Sequence, residues 1–186
     1  MRCWCMPKTI LLSLALLLVP AAHAVTAPGG LPPAVCRALE DCRMVGQGTL
    51  RWWGFHVYDA SLWSRSGRWR AQAPYALAIR YARQLTGVQL ADTSVDEMRR
   101  LGVGDEAALE RWGAAMRRLF PDVAPGSRLI GLHLPQRGAL FYTADRYLGA
   151  IDDPEFARYF FGIWLDMRTQ KPALRAALLA GNGQAE

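Results

Sequence analysis

Little in this chain is suited to metal binding or nucleophilic catalysis. It holds three histidines and four cysteines, and two of those cysteines, Cys3 and Cys5, lie at the extreme N-terminus. There is no Gly-x-Ser-x-Gly elbow, no phosphate-binding loop, no His-Glu-x-x-His and no dinucleotide fingerprint. That argues against the commonest hydrolase, nucleotidase, metalloprotease and dehydrogenase designs, and no motif calls for a cofactor. Charge is modest, +6 formally at pH 7, and no dense Lys/Arg run exists, so a nucleic-acid partner is not expected. The longest apolar run, Thr9–Val19, is about 11 residues, short of the roughly 20 that a spanning helix needs. No stable membrane anchor is expected.

What is present begins with an address. Arg2 and Lys8 form a basic start, Thr9–Val19 an apolar centre, and Ala22-His23-Ala24 a small-x-small cleavage site. The pattern predicts export and cutting after Ala24. Residues 25–33, with Pro28, Gly29, Gly30, Pro32 and Pro33, read as a mobile leader. Cys36 and Cys42 remain after processing. In an oxidising compartment they form either a disulfide or a pair of buried thiols. Their spacing is not the Cys-x-x-Cys of redox sites. Of the histidines only His56 and His133 survive processing, and neither lies near the pair, so no metal site is expected. One helical turn fits residues 34–40, and a disulfide requires it to end between the two cysteines.

The most heavily built stretch is Val45–Trp63. It predicts one long strand, or two strands broken near Gly54. Leu50, Trp52, His56, Tyr58, Ala60 and Leu62 share one parity, and Trp53, Phe55, Val57 and Trp63 the other. Bulk on both faces predicts the centre of a sheet covered on both sides, with a bulge or close approach at Gly54. Ala76–Arg83 alternates as a strand, with Leu77, Ile79 and Tyr81 opposite Arg80. Thr86 and Gln89 have capping-box spacing, and Thr93 or Ser94 offers a second helix start, with Gly102 as the stop. Asp105 caps a helix carrying Leu109, Trp112 and Met116, ended by Pro121. Gly126–Leu134 and Gly138–Thr143 predict a hairpin, and Tyr147–Ile151 a short strand. Asp152 or Asp153 caps a helix with Pro154 first; it runs from Glu155 to Leu165 and is apolar on nearly every side. A last helix runs from Pro172 to Gly181. Residues 34–181 thus form one domain, followed by a disordered tail at 182–186. Antiparallel strands with helices inserted in the middle and gathered at the end make an α+β order.

Few residues stand out for chemistry. Asp152-Asp153 is better explained by capping than by acid–base work. His56 reads as a hydrogen-bonded core or edge histidine, and His133, between Leu132 and Leu134, as an outward strand position. Arg80 and Arg83 are either a solvated face or cations at the rim of a pocket. Trp52, Trp53, Tyr58, Phe160 and Trp164 supply broad apolar area for a core, and some of it for a ligand cleft.

Several motifs together resemble one family. Residues Gly46 to Trp63, Leu85-Thr86-Gly87 after a strand, and Phe120-Pro121 with Pro125-Gly126-Ser127 before the hairpin are similar to the chalcone isomerase-like family. So is Tyr159 to Asp166, followed by Arg168-Thr169 and Pro172. The exported bacterial branch matches best, which implies a periplasmic location. The resemblance implies an open-faced β-sandwich: a large antiparallel sheet with helices layered on one face and a ligand cleft between them. Plant members close a ring on a chalcone; relatives bind fatty acids without catalysis. Carried over residue by residue, the enolate-steadying arginine falls near Arg43 and the catalytic threonine at Trp53. The active-site tyrosine falls near Leu90, the asparagine near Glu97, and a late hydroxyl residue at Tyr159. Ring closure needs a hydroxyl or water network, which Trp53 and Leu90 would remove.

The resemblance therefore implies first a non-catalytic protein binding a small apolar or fatty-acid-like ligand, with Arg43, Trp53, Leu90, Glu97 and Tyr159 lining the cleft. The alternatives are an intramolecular lyase acting on an enone, and an envelope interaction module whose cleft is filled by its own side chains. The sequence leaves the oligomeric state open.

Overall fold

The computed structural model of the chain describes residues 31–183. The expected export signal at 1–24, residues 25–30 of the expected leader and residues 184–186 of the expected tail lie outside them. No helix among the described residues is long and apolar enough to cross a membrane.

Six strands make one antiparallel sheet in chain order: β1 (Arg43–Trp52), β2 (Phe55–Ser64), β3 (Tyr75–Tyr81), β4 (Arg128–Leu134), β5 (Gly138–Tyr142) and β6 (Tyr147–Ile151). The helices are α1 (Pro33–Ala38), α2 (Gly87–Arg100), α3 (Glu106–Leu119), α4 (Pro154–Leu165) and α5 (Pro172–Leu178), before a short 3₁₀ turn at Ala180–Gly183. The α+β order and the layering of α2–α5 on one sheet face follow the sequence reading. One expectation is corrected. Val45–Trp63 is not the sheet centre but the β1–β2 hairpin at its edge, with Trp53-Gly54 as a two-residue turn. The bulk on both parities around Trp52–Phe55 belongs to residues left in water, and the strands covered on both faces are β3, where only Arg80 is exposed, and β4.

Local chemistry sets the helix starts. Thr86 and Gln89 form the reciprocal capping box of α2. Asp105 accepts from the Ala108 amide at the start of α3. Asp153, not Asp152, caps α4 through the Glu155 and Phe156 amides at 2.8 and 3.1 Å. Thr93 and Ser94 do not start a helix. α2 runs through them, and Ser94 returns its hydroxyl to the Leu90 carbonyl. Gly102, at φ +101°, supplies the stop.

The main core lies between the sheet and α2–α5. Leu62, Leu77, Ile79, Tyr81 and Phe141 of the sheet meet Met98, Leu109, Trp112 and Met116, and the α4 aromatics. Helix α4 buries Phe156, Phe160, Phe161, Trp164 and Leu165. Each such side chain is worth about 1.5–3 kcal/mol over an exposed one, so α4 is held by packing, not propensity. Helix α5 lies on β1 where Gly46 and Gly48 leave no side chain. A Cβ at Gly46 would sit 2.3 Å from the Ala177 carbonyl oxygen.

A smaller core lies on the opposite face. Leu31, Val35 and Leu39 cover Trp63, Ala76, Ile130 and Leu132. Leu31 is fully buried, so the described end of the expected leader is packed against the sheet. The Cys36–Cys42 disulfide ties α1 to the start of β1. The helix ends at Ala38, between the two cysteines.

Candidate functional site

The five positions carried over from the resemblance do not converge. Arg43 opens β1, pairs with Asp41 at 2.8 Å, and is 67% exposed beside the disulfide. Trp53 lies at the other end of the same strand, in the turn, at φ +50° and 85% exposed. The transfer of a cleft threonine to Trp53 therefore fails on geometry, because a turn tip cannot line a space between sheet and helices. Leu90 and Tyr159 are half-buried against the main core, and the Tyr159 ring meets Trp112 at a tilt and lies under the Arg158 guanidinium. Glu97 is half-buried and pairs with Arg100.

Among the hairpin residues that face the helices, Tyr58 makes a polar contact with them. Its hydroxyl accepts the Trp164 indole N–H at 2.9 Å, and its ring meets Tyr81 edge-on at 6.1 Å. Burial pushes the Tyr58 phenol up to about 12, against the opposing pull of the Trp164 bond. A neutral, satisfied phenol fills space and does not abstract protons at neutral pH.

Two depressions on the described surface bear on function. One, about 450 Å³, lies on the face away from α2–α5, lined by Thr49, Asp59, Ser61, Trp63, Arg80 and Arg128 among others. Thr49, Asp59, Arg80 and Arg128 stand in register across four strands. Arg80 thus does line a depression, though not one facing the helices. The Asp59 carboxyl is pushed up by burial, but the Thr49 hydroxyl, His56 and Arg80 outweigh this and hold it below the ordinary range. The row sets two guanidiniums against one carboxylate. His56 is the hydrogen-bonded edge histidine expected, donating to Asp59 at 3.0 Å.

The second depression, about 390 Å³, opens between the sheet and α4. Its walls are Trp69, Tyr75, His133 and Leu165, with Gln72 and Arg158 among the polar groups. His133 is corrected here. It is buried, not outward, because β4 is covered on both faces and its odd positions point toward α4. Its imidazole stacks on Tyr75 at 4.4 Å and meets Phe161 edge-on at 5.5 Å. Burial holds the His133 pKa below the ordinary histidine value, against a bond to the Ala73 carbonyl. Nδ1 donates in that bond, leaving Nε2 unprotonated. Gly131 lets this layer close up: the Phe161 ring lies 3.0 Å from where a Cβ would be. Burial likewise pushes the Tyr75 phenol up.

At the rim, Arg158 is 65% exposed, with Glu155 at a loose 3.6 Å. Asp166 is committed to Arg168 at 2.8 Å, which holds its carboxyl down to about 2. An incoming anion would therefore meet a cation with room for another partner beside a carboxylate already satisfied. Two sequence features could have marked this place, though the pattern alone did not single them out: a histidine within an apolar strand, and an arginine on a largely apolar helix. Trp69 and Gln72 sit in an irregular connection with no periodicity to mark them.

No protein-family model matches the chain. A Haemophilus influenzae protein described only as uncharacterized is 31% identical over 136 residues, covering 73% of this chain and 66% of that protein. The chain thus spans just under two thirds of that relative's length. Among solved structures, the crystal structure of an Arabidopsis thaliana fatty-acid binding protein superposes with a TM-score of 0.59 at 9% identity, over 76% of this chain and 88% of that one. That identity speaks to fold alone. Together with the six-stranded antiparallel sheet and its one-sided helical layer, it establishes that this chain has the chalcone isomerase-like fold.

Proposed function

We propose that this protein is an exported, non-catalytic binding protein that takes a small apolar or fatty-acid-like ligand in the opening between the sheet and α4. One observation carries the reading: an apolar-walled opening of about 390 Å³, faced by Trp69, Tyr75, His133 and Leu165, with Arg158 at its rim. Its size falls in the range of small-molecule sites, and the guanidinium suits a carboxylate head. The likeness to a protein named for fatty-acid binding supports the choice of ligand class. A disulfide at Cys36–Cys42 suits the periplasmic location implied by residues 1–24.

Calorimetric titration with a series of saturated fatty acids and their matched alcohols tests this. The acids should bind more tightly than the alcohols, and Arg158→Glu should erase that difference. No binding by any member of the series would overturn the proposal.

A second reading, an interaction module with a filled cleft, has one observation in its favour. Tyr58, Tyr81 and Trp164 occupy the space between β2, β3 and α4. Under that reading the protein would come out of its own compartment without lipid and would bind none.

A further inference from the structure

Beyond the last β2–β3 pair, Tyr58 with Tyr81, the β1–β2 hairpin continues without a third strand through Arg51–His56 and Trp52–Phe55, touched at its base by the Ala82 amide on the Val57 carbonyl and the Arg83 guanidinium on the His56 carbonyl. At about 3.3 Å per residue, it projects roughly 10 Å past the sheet. Its tip is aromatic and wet: Trp52 is 57%, Trp53 85% and Phe55 62% exposed. The turn residues Trp53 and Gly54 both have positive φ, +50° and +79°. Two-residue turns of that kind favour Asn-Gly. A bulky aromatic there is held in a conformation that L side chains avoid, while exposing its indole to water. Neither packing nor turn chemistry accounts for Trp53.

Cations flank these rings. The Lys171 ammonium lies 4.4 Å from the centre of the Trp52 ring, and the Arg83 guanidinium 4.8 Å from that of Phe55. Arg51 reaches the Gly54 carbonyl within the tip. Among the described residues, none of Arg51, Arg83 and Lys171 has a carboxylate within ion-pair distance, whereas arginines elsewhere on the surface are commonly paired. Aromatic side chains with a ring of cations match a bilayer interface bearing anionic headgroups: the rings enter the headgroup layer and the charges meet phosphate. We infer that the hairpin tip is a docking finger that seats the protein reversibly on an anionic phospholipid surface through Trp52, Trp53 and Phe55, steered by Arg51, Arg83 and Lys171. The contact is peripheral, made by a turn and not by a spanning helix.

Cosedimentation of protein isolated after processing in its own cells tests this. The vesicles are phosphatidylglycerol in phosphatidylcholine, or phosphatidylcholine alone. The account predicts binding to the anionic vesicles that weakens with salt. Trp53→Asn, which suits the turn and so leaves folding intact by thermal melt, should reduce that binding. Lys171→Glu and Arg83→Glu should each weaken it by at least about fivefold. Equal binding by wild type and Trp53→Asn would overturn the proposal. So would equal binding to the two vesicle types. A third contrary result is a wild type that ignores vesicles but forms a dimer by sedimentation velocity that Trp53→Asn abolishes, which would assign the tip to a second copy of this chain.

Discussion

Asp153 shows how one side chain can hold two layers in place. Its carboxylate caps α4 through two amides and also accepts the Trp112 indole N–H at 2.8 Å, across 41 residues of chain. Burial raises its pKa, but the Trp112 bond and the cap amides outweigh this and keep it charged. Asp153→Ala should lower stability by about 2–3 kcal/mol in urea unfolding, the sum of a lost cap and a stranded indole donor, while Asp152→Ala should lower it by far less. His133 is the second telling residue. Its folded-state pKa lies below the ordinary 6.5, so the unfolded chain takes up the proton first as pH falls. Stability should be level above about pH 6.5, decline below it, and level off once the folded pKa is passed. His133→Phe should remove that part of the acid-side decline in denaturation curves taken across pH 7 to 5.

The elements explain which parts of the fold could be read without coordinates. Capping pairs such as Thr86 with Gln89, and the 3.6-residue spacing of Leu109, Trp112 and Met116, are local signals, and α2 and α3 stand where they predict. Strand alternation found β3, and the hairpin pattern found β4 and β5, for the same reason. The place of a strand within the sheet is not local. Apolar bulk on both parities of Val45–Trp63 is equally consistent with a covered central strand and with an exposed hairpin tip, and only the partners decide. The two glycines of β1 carry a tertiary signal of the same kind. Gly46 and Gly48 mark where α5 lies on the strand, which nothing in the flanking residues reveals. Gly46→Ala should therefore cost about 1–3 kcal/mol by forcing α5 off β1, and limited proteolysis should then cut near α5 faster than in wild type.

At the scale of the molecule, the sheet carries two unequal covers. The large one, α2–α5, buries the aromatic core and leaves an opening beside α4. The small one, α1 with Leu31, is held to β1 by the disulfide. Reducing that bond, or replacing both cysteines with alanine, should lower stability by about 2 kcal/mol, the value for a short closed loop, and should expose Trp63 to fluorescence quenchers. The candidate site belongs to this scale, and that is why the residue-by-residue transfer to Arg43 and Trp53 missed it. Arg43 opens β1 and Trp53 sits in the turn just past its far end, whereas the opening is assembled from the β2–β3 connection, β4 and α4, which are distant in sequence.

The most direct test is a crystal structure with a fatty acid brominated at its chain end. The account predicts anomalous bromine density inside the opening among Trp69, Tyr75, His133 and Leu165, with the carboxylate at Arg158. Bromine density between α2 and β1 instead, or none in a protein fully exposed to the ligand, would contradict it.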